Sequence, residues 1–336
     1  MAGNSSKLMF IAIMILGTLT TINASNWLGI WMGLEINLIA FTPLIFKPKQ
    51  ASMSEASMIY FLVQSLGSAM MLMIIVTNNL LMEPISSINN STATALAASL
   101  MLKLGMAPMH MWFPEVTSKM SWSSALLLLT WQKIAPLVVL SYVVEKSFVI
   151  YILVMTSTFI GAVGGLNQTS LRKIMAYSSI SHMGWMIACM KMENNLWMAY
   201  LAIYIAMVTM AIILFEKTSM YHINQVNMNS LTPTSKIYMH IIIYKTSSVA
   251  TIPSVFAKMN SYPINNSTQI MHSTNCNSAN NPNHSTMLFT NNNNNINTYT
   301  STNKWITEFK PPHKNLVMMV LLVNLSTPIV TVFMFM

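Results

Sequence analysis

The chain has 336 residues, of which 54% are hydrophobic and only 7% charged, and its formal charge is +9; an average soluble domain carries about 25% charge. Eight carboxylates and seventeen Lys and Arg residues cannot cover a globule of this size with a polar skin, which excludes a water-soluble domain and sends the apolar surface toward lipid. The positive balance comes from scattered lysines and the lone Arg172, with no basic stripe for a phosphate backbone, so nucleic acid is excluded as a partner.

From the N-terminus, apolar runs approach the roughly 20 residues that span a bilayer. They predict helices over 8–23, 26–46, 57–77, 93–113, 123–144, 147–167, 174–191 and 196–215. The short connections hold Lys47, Lys49, Glu55, Glu83, Glu115 and Lys119, so consecutive helices are expected to be antiparallel neighbours. The first run lacks a basic segment beyond Lys7 and is followed at once by a second span, which predicts a retained helix and not a removable signal peptide.

After Lys217 the composition changes. Residues 220–245 are only partly apolar, 260–303 are rich in Asn, Ser and Thr with a pentamer from Asn291 to Asn295, and no Gly follows Gly184. Such a stretch cannot hide its polarity in hydrocarbon and reads as a loop without a packed core. Apolar patterning returns at Leu316, and Leu316 to Met336 is long enough to span once more. The expected organisation is a membrane domain over 1–220 with about eight transmembrane helices, an anomalous polar segment over 221–303, and a C-terminal helix within 304–336.

Cys189 and Cys276 are too few and too far apart for a disulfide framework or a thiolate metal site. All eight acidic residues are Glu, and Met reaches 34. Both follow from A/T-rich codons and point to an organellar genome in which AUA reads as Met; the alternative is that Met fills a bilayer-facing surface.

Three ionisable residues stand near span centres: Glu35, Lys103 and Lys133. A charge at a helix centre costs about 2.5 to 3.5 kcal/mol on insertion scales, and such residues usually line a pathway. Lys103 lies about ten residues, or ~15 Å, from either end of its run, beyond the reach of a snorkelling stem. A Glu and a Lys facing each other in a low-dielectric core have coupled proton affinities. A coupling of roughly 4 to 7 kcal/mol covers the about 4.6 kcal/mol that one proton needs against about 200 mV. A purely structural polar cluster is the alternative. Five residues beyond Lys103, Pro108 predicts a broken helix, which is tolerated at membrane depth only in protein or beside a water-filled cavity. His110 after the break and His182 in its span are weaker relay candidates, since each fits an ordinary packing hydrogen bond equally well.

Four segments then carry a resemblance: Trp31-Met32-Gly33-Leu34-Glu35-Ile36-Asn37; Lys103-Leu104-Gly105-Met106-Ala107-Pro108-Met109-His110-Met111-Trp112-Phe113-Pro114-Glu115-Val116; Thr130-Trp131-Gln132-Lys133-Ile134-Ala135-Pro136; and Ala176-Tyr177-Ser178-Ser179-Ile180-Ser181-His182-Met183-Gly184-Trp185. In order and spacing they resemble the chain 2 family of mitochondrial NADH-ubiquinone oxidoreductases, antiporter-like membrane subunits of respiratory complex I, most like the insect forms. The resemblance covers about residues 4–230. It implies an all-α polytopic bundle of two inverted five-helix repeats, each with a broken helix, in the mitochondrial inner membrane and mitochondrially encoded. It also implies proton translocation coupled to NADH:ubiquinone oxidoreduction. On it, Glu35 is the family's intramembrane glutamate, Lys103 the lysine of the first broken helix, and Lys133 the lysine that bridges two half-channels. NADH, FMN, iron-sulfur clusters and ubiquinone are expected in other subunits and none of them in this chain. Its expected partners are the other membrane-arm subunits, phospholipids and protons.

The departure from the family lies after residue 230. A second broken helix with a Gly-Gly and Pro-Pro segment is expected there, whereas the chain reads Lys245-Thr246-Ser247-Ser248 onward to Lys258-Met259-Asn260. Lys258 is the positional counterpart of the second-repeat lysine, without its surrounding motif. Residues 231–303 are read as a wrong-frame translation, with a lineage-specific loop as the rival. For the whole chain, the rival functions are a stand-alone cation/proton antiporter and a structural membrane subunit that does not pump.

Overall fold

Lipid offers a backbone no hydrogen bonds, so each long apolar run has to satisfy its amides internally, and it does so by coiling. The computed structural model describes residues 2–48, 50–80, 90–143, 149–192 and 196–227. Ten α-helices occur among them: α1 (Ala2–Asn23), α2 (Trp27–Ile45), α3 (Ala51–Leu80), α4 (Asn90–Leu104), α5 (Trp112–Lys119), α6 (Trp122–Leu129), α7 (Trp131–Val143), α8 (Val149–Leu166), α9 (Leu171–Met192) and α10 (Leu196–Lys217). The chain divides into two compact units, residues 1–216 and 217–336. In the second, the described part is a 3-10 turn, Ile223–Asn227, where Gln225 Oε1 accepts the backbone N–H groups of Tyr221 at 2.6 Å and His222 at 3.2 Å. The second broken helix, Lys258, the polar segment and the C-terminal span lie outside the described residues.

Among the described residues, five segments are long and apolar enough to cross a membrane: Ser5–Asn23, Trp27–Ile45, Ala51–Asn78, Trp122–Val143 and Trp197–Lys217. Thr92–Leu104 and Ile152–Leu166 are apolar but shorter. α9, over the expected span 174–191, turns its polar residues inward, with Ser178, Ser179, Ser181 and His182 all buried. Two expected spans are corrected. The run 93–113 is helical only to Leu104, and a new helix starts at Trp112; the run 123–144 is split at Thr130.

Consecutive helices α1 and α2, α2 and α3, and α8 and α9 pack against each other, and α7 sits centrally, touching α1, α2, α4 and α6. Apolar burial gives little driving force inside lipid, so close approach over small residues has to supply the contact. Between α1 and α2, a Cβ on Gly33 would stand 2.8 Å from the Thr21 backbone nitrogen. Between α8 and α9, one on Gly161 would stand 2.6 Å from the Ser181 nitrogen. At one end of the bundle Lys119 of α5 pairs with Glu55 of α3 at 2.5 Å and with Glu115 at 3.0 Å. Those two carboxylates hold the Lys119 ammonium above the usual lysine range. On the same side Arg172 of α9 donates to the Met120 carbonyl and lies 6.0 Å from the Trp122 ring centroid.

Candidate functional site

The first break is made by Gly105, three residues before the proline on which the sequence reading placed it. Gly105 has φ +70, the left-handed conformation that closes helices at a glycine. Its N–H reaches Leu102 O at 3.2 Å and the Met106 N–H reaches Met101 O at 3.1 Å, which is the double bond of a Schellman motif. Pro108 follows inside the non-helical segment. Lys103 is therefore in the last turn of α4, where the helix dipole favours a cation, and is 7% exposed. Its carbonyl accepts the Gln64 Nε2 of α3 at 2.8 Å.

A second break precedes Lys133. The Leu126 carbonyl accepts both the Thr130 backbone N–H at 3.0 Å and the Thr130 Oγ1 at 2.7 Å, a competition that bends helices, and Pro136 withholds the next amide that α7 would need. Lys133 thus falls in the first turn of α7. Its Nζ donates to the Tyr204 hydroxyl of α10 at 3.2 Å and lies 5.4 Å and 5.0 Å from the ring centroids of Phe113 and Tyr204, within cation–π reach. The Tyr204 ring is 5.3 Å from the His182 ring, and His182 Nδ1 lies 2.8 Å from the Tyr200 hydroxyl. Two buried hydrogen bonds, Lys133 to Tyr204 and His182 with Tyr200, thus lie side by side where α7, α10 and α9 meet, joined by the ring contact of Tyr204 with His182.

The two lysines meet at one internal cavity of about 20 Å³, room for a single ordered water. Besides Lys103 and Lys133, its polar lining is Asn37, Tyr60, Gln64 and Gln132. Gln132 knits the wall together: its Nε2 donates to Asn37 Oδ1 at 3.0 Å and to Met14 Sδ at 3.2 Å, and its Oε1 accepts the Tyr60 hydroxyl at 3.4 Å. One amide side chain thereby ties α1, α2 and α3 to α7.

The structure brings together Lys103 and Lys133, and reaches His182 through Tyr204. Glu35 is placed elsewhere. The buried face of α2 carries Leu34, Asn37 and Leu38, while Glu35 is half-buried and absent from the cavity wall. It makes no ion pair among the described residues. His110 sits in the first break with Nδ1 3.2 Å from Pro108 O and its ring 6.5 Å from that of Tyr177, and it does not line the cavity. The described residues hold no group of three or more His, Cys, Asp or Glu arranged to bind a metal. Sequence reasoning passed over Tyr60, Gln64, Gln132, Asn37 and Tyr204. Their one signal was position: Tyr60 and Gln64 fall on the buried stripe of α3 with Met53, Ala56 and Met71, where an apolar residue would be the default.

The transmembrane family of NADH:quinone oxidoreductases and Mrp antiporters matches residues 24–274. The chain is 40% identical over 239 residues to NADH-ubiquinone oxidoreductase chain 2 of Locusta migratoria, which covers 71% of this chain and 70% of the relative. To the chain 2 protein of Anopheles gambiae it is 42% identical over 244 residues, 70% of each. In three dimensions it is similar to a chain of respiratory complex I from Thermus thermophilus, with a TM-score of 0.59 at 23% identity, over 63% of this chain and 52% of that one.

Proposed function

Because the chain belongs to the NADH:quinone oxidoreductase/Mrp antiporter family, we propose that it is an antiporter-like, chain 2 subunit of the membrane arm of respiratory complex I, and that Lys103 and Lys133 carry its protons. The observation that supports this reading is that both intramembrane lysines line a single polar cavity. The cavity holds about one water between the two lysines, and the Tyr204 hydroxyl, which accepts from Lys133, stands beside the His182 ring. Glu35, half-buried on α2 and outside the cavity wall, is in this reading the acidic partner of the two lysines. His110 is a weaker accessory, held by a backbone carbonyl.

The redox groups belong to other subunits in this reading, and this chain's share of the reaction is proton movement. The site of action is the mitochondrial inner membrane. The exposed apolar residues of α1 to α3, such as Leu8, Leu16, Phe61 and Leu62, are then covered by phospholipid and by neighbouring membrane-arm subunits.

In the assembled complex, Lys103→Met and Lys133→Met are each expected to lower the number of protons moved per electron while quinone reduction continues. Unchanged stoichiometry in both would sink the assignment. Potential-driven transport by the subunit alone would favour a stand-alone antiporter, and normal pumping after neutralising Glu35, Lys103 and Lys133 together would favour a structural subunit.

We further propose the division into a membrane domain over 1–220, a wrong-frame stretch over 231–303 and a closing helix within 304–336. The lack of Gly after Gly184 and the Asn pentamer support it, while the family match continues into the stretch as far as residue 274. Translation of the coding sequence decides the matter. If neither alternative frame gives an apolar span rich in Gly and Pro, the stretch is a lineage-specific loop and the second half-channel, with Lys258 as its positional counterpart lysine, is incomplete.

A further inference from the structure

We propose that Gln64 is a positioning residue for proton movement through Lys103, acting by holding the broken end of α4; the inference rests on the reading of Lys103 as a proton site. A helix that stops inside a membrane leaves its last carbonyls without the amides that a further turn would bring, and hydrocarbon supplies no substitute. In α4 the carbonyls of Met101 and Leu102 are satisfied locally by the backbone N–H groups of Met106 and Gly105. The Lys103 carbonyl is satisfied by a side chain from another helix, the Gln64 amide at 2.8 Å, itself 7% exposed.

The neighbours of Gln64 on α3 complete this seat. Three residues on, Gly67 leaves space for the lysine stem, since a Cβ there would stand 3.0 Å from Lys103 Cγ and 3.2 Å from Leu102 Cδ2. Four residues before, Tyr60 donates to Gln132, the residue preceding Lys133. Positions 60, 64 and 67 share one helix face, so a single face of α3 fixes the backbone of Lys103, packs its stem and touches the segment that bears Lys133. The residue whose carbonyl is held is also the residue whose ammonium borders the cavity. Without the amide, the last turn of α4 is free to unwind or to turn its carbonyl onto that ammonium, and either change moves the proton site relative to Lys133.

The titratable groups facing position 64 are Lys103 of α4, Lys133 of α7 and Tyr60 of α3 itself, all on the cavity wall, with Glu35 of α2 outside it. The test measures protons moved per electron against pH in sealed vesicles holding the whole complex, for Gln64→Leu, Gln64→Glu and Lys103→Met. Gln64→Leu is expected to lower the ratio toward that of Lys103→Met at every pH, with electron transfer retained when the vesicles are uncoupled. Gln64→Glu keeps the size of the side chain. Protonated, it donates to the same carbonyl; ionised, it cannot donate and draws the Lys103 ammonium instead, so its ratio starts near wild type at acid pH and falls by roughly half or more as the carboxyl titrates.

A role confined to packing would give no such pH profile. The proposal is overturned if Gln64→Glu pumps with the stoichiometry and pH profile of the wild type, and that variant decides the matter alone where Gln64→Leu fails to assemble. Normal pumping by Lys103→Met would instead overturn the proton-site reading itself. A lowered ratio in Lys103→Met beside wild-type behaviour in both Gln64 variants removes only the positioning role.

Discussion

Lys133 is 3% exposed, and the Tyr204 hydroxyl is its hydrogen-bond partner among the described residues. Tyr204→Phe keeps the ring beneath the ammonium but removes the acceptor. A buried donor left without a partner costs about 1–3 kcal/mol, and more when it is charged. The variant is therefore expected to lower the melting temperature of the complex and to reduce protons moved per electron, while a Tyr142→Phe control at an exposed position of α7 changes neither; a Tyr204→Phe complex that pumps and melts like the wild type would remove Tyr204 from the proposed path. At this scale the sequence exposes charge and conceals neutral polarity. Lys103 and Lys133 stand out because nothing in an apolar run explains an ammonium. Tyr204, Gln132 and Asn37 do not, because a neutral hydroxyl or amide costs far less to bury and occurs throughout such helices.

Both cavity lysines occupy helix ends that the hydrophobic pattern did not mark. A run of apolar residues reports that a segment is surrounded by lipid or protein, and that report continues unchanged across a break whose backbone is satisfied internally. The run 93–113 therefore merges α4, the Gly105 turn and the start of α5, while 123–144 merges α6 with α7. Pro108 betrayed the first break, which closes at Gly105 between Lys103 and that proline; Thr130, an ordinary helix residue by composition, gave no warning of the second. Gly105 is the position that makes the first break affordable. Gly105→Ala would hold an L-residue at φ +70 and set its Cβ 3.0 Å from Phe113 Cβ, for a cost of about 1–2 kcal/mol from the backbone alone. Thermal melting of the complex checks this, with Gly165→Ala as the comparison, since a Cβ there meets Tyr177 Cβ at an ordinary 3.6 Å. A larger drop for Gly105→Ala is expected, accompanied by a loss of pumping that Gly165→Ala does not share.

Across the whole bundle, the two breaks put both lysines between helix halves that enter from one end, α5 and α6, and halves that leave toward the other, α4 and α7. The direction of proton movement then depends on which end faces the matrix. The end that carries the Lys119–Glu55 pair also gathers Lys47 after α2 and Arg172 and Lys173 at the start of α9, whereas among the described residues the opposite end has Lys191 in the last turn of α9. Lys and Arg in short connections, and not net charge, set membrane orientation, and they favour the side from which the chain is inserted. The Lys119 end is therefore expected to face the matrix. Ser25, between α1 and α2, and Thr169, between α8 and α9, are exposed at opposite ends. In mitoplasts with a sealed inner membrane, an impermeant maleimide should label a Ser25→Cys variant at once and a Thr169→Cys variant only after permeabilisation. The reverse pattern would invert the bundle, and with it the side from which the proposed proton path through Lys103 and Lys133 would be loaded.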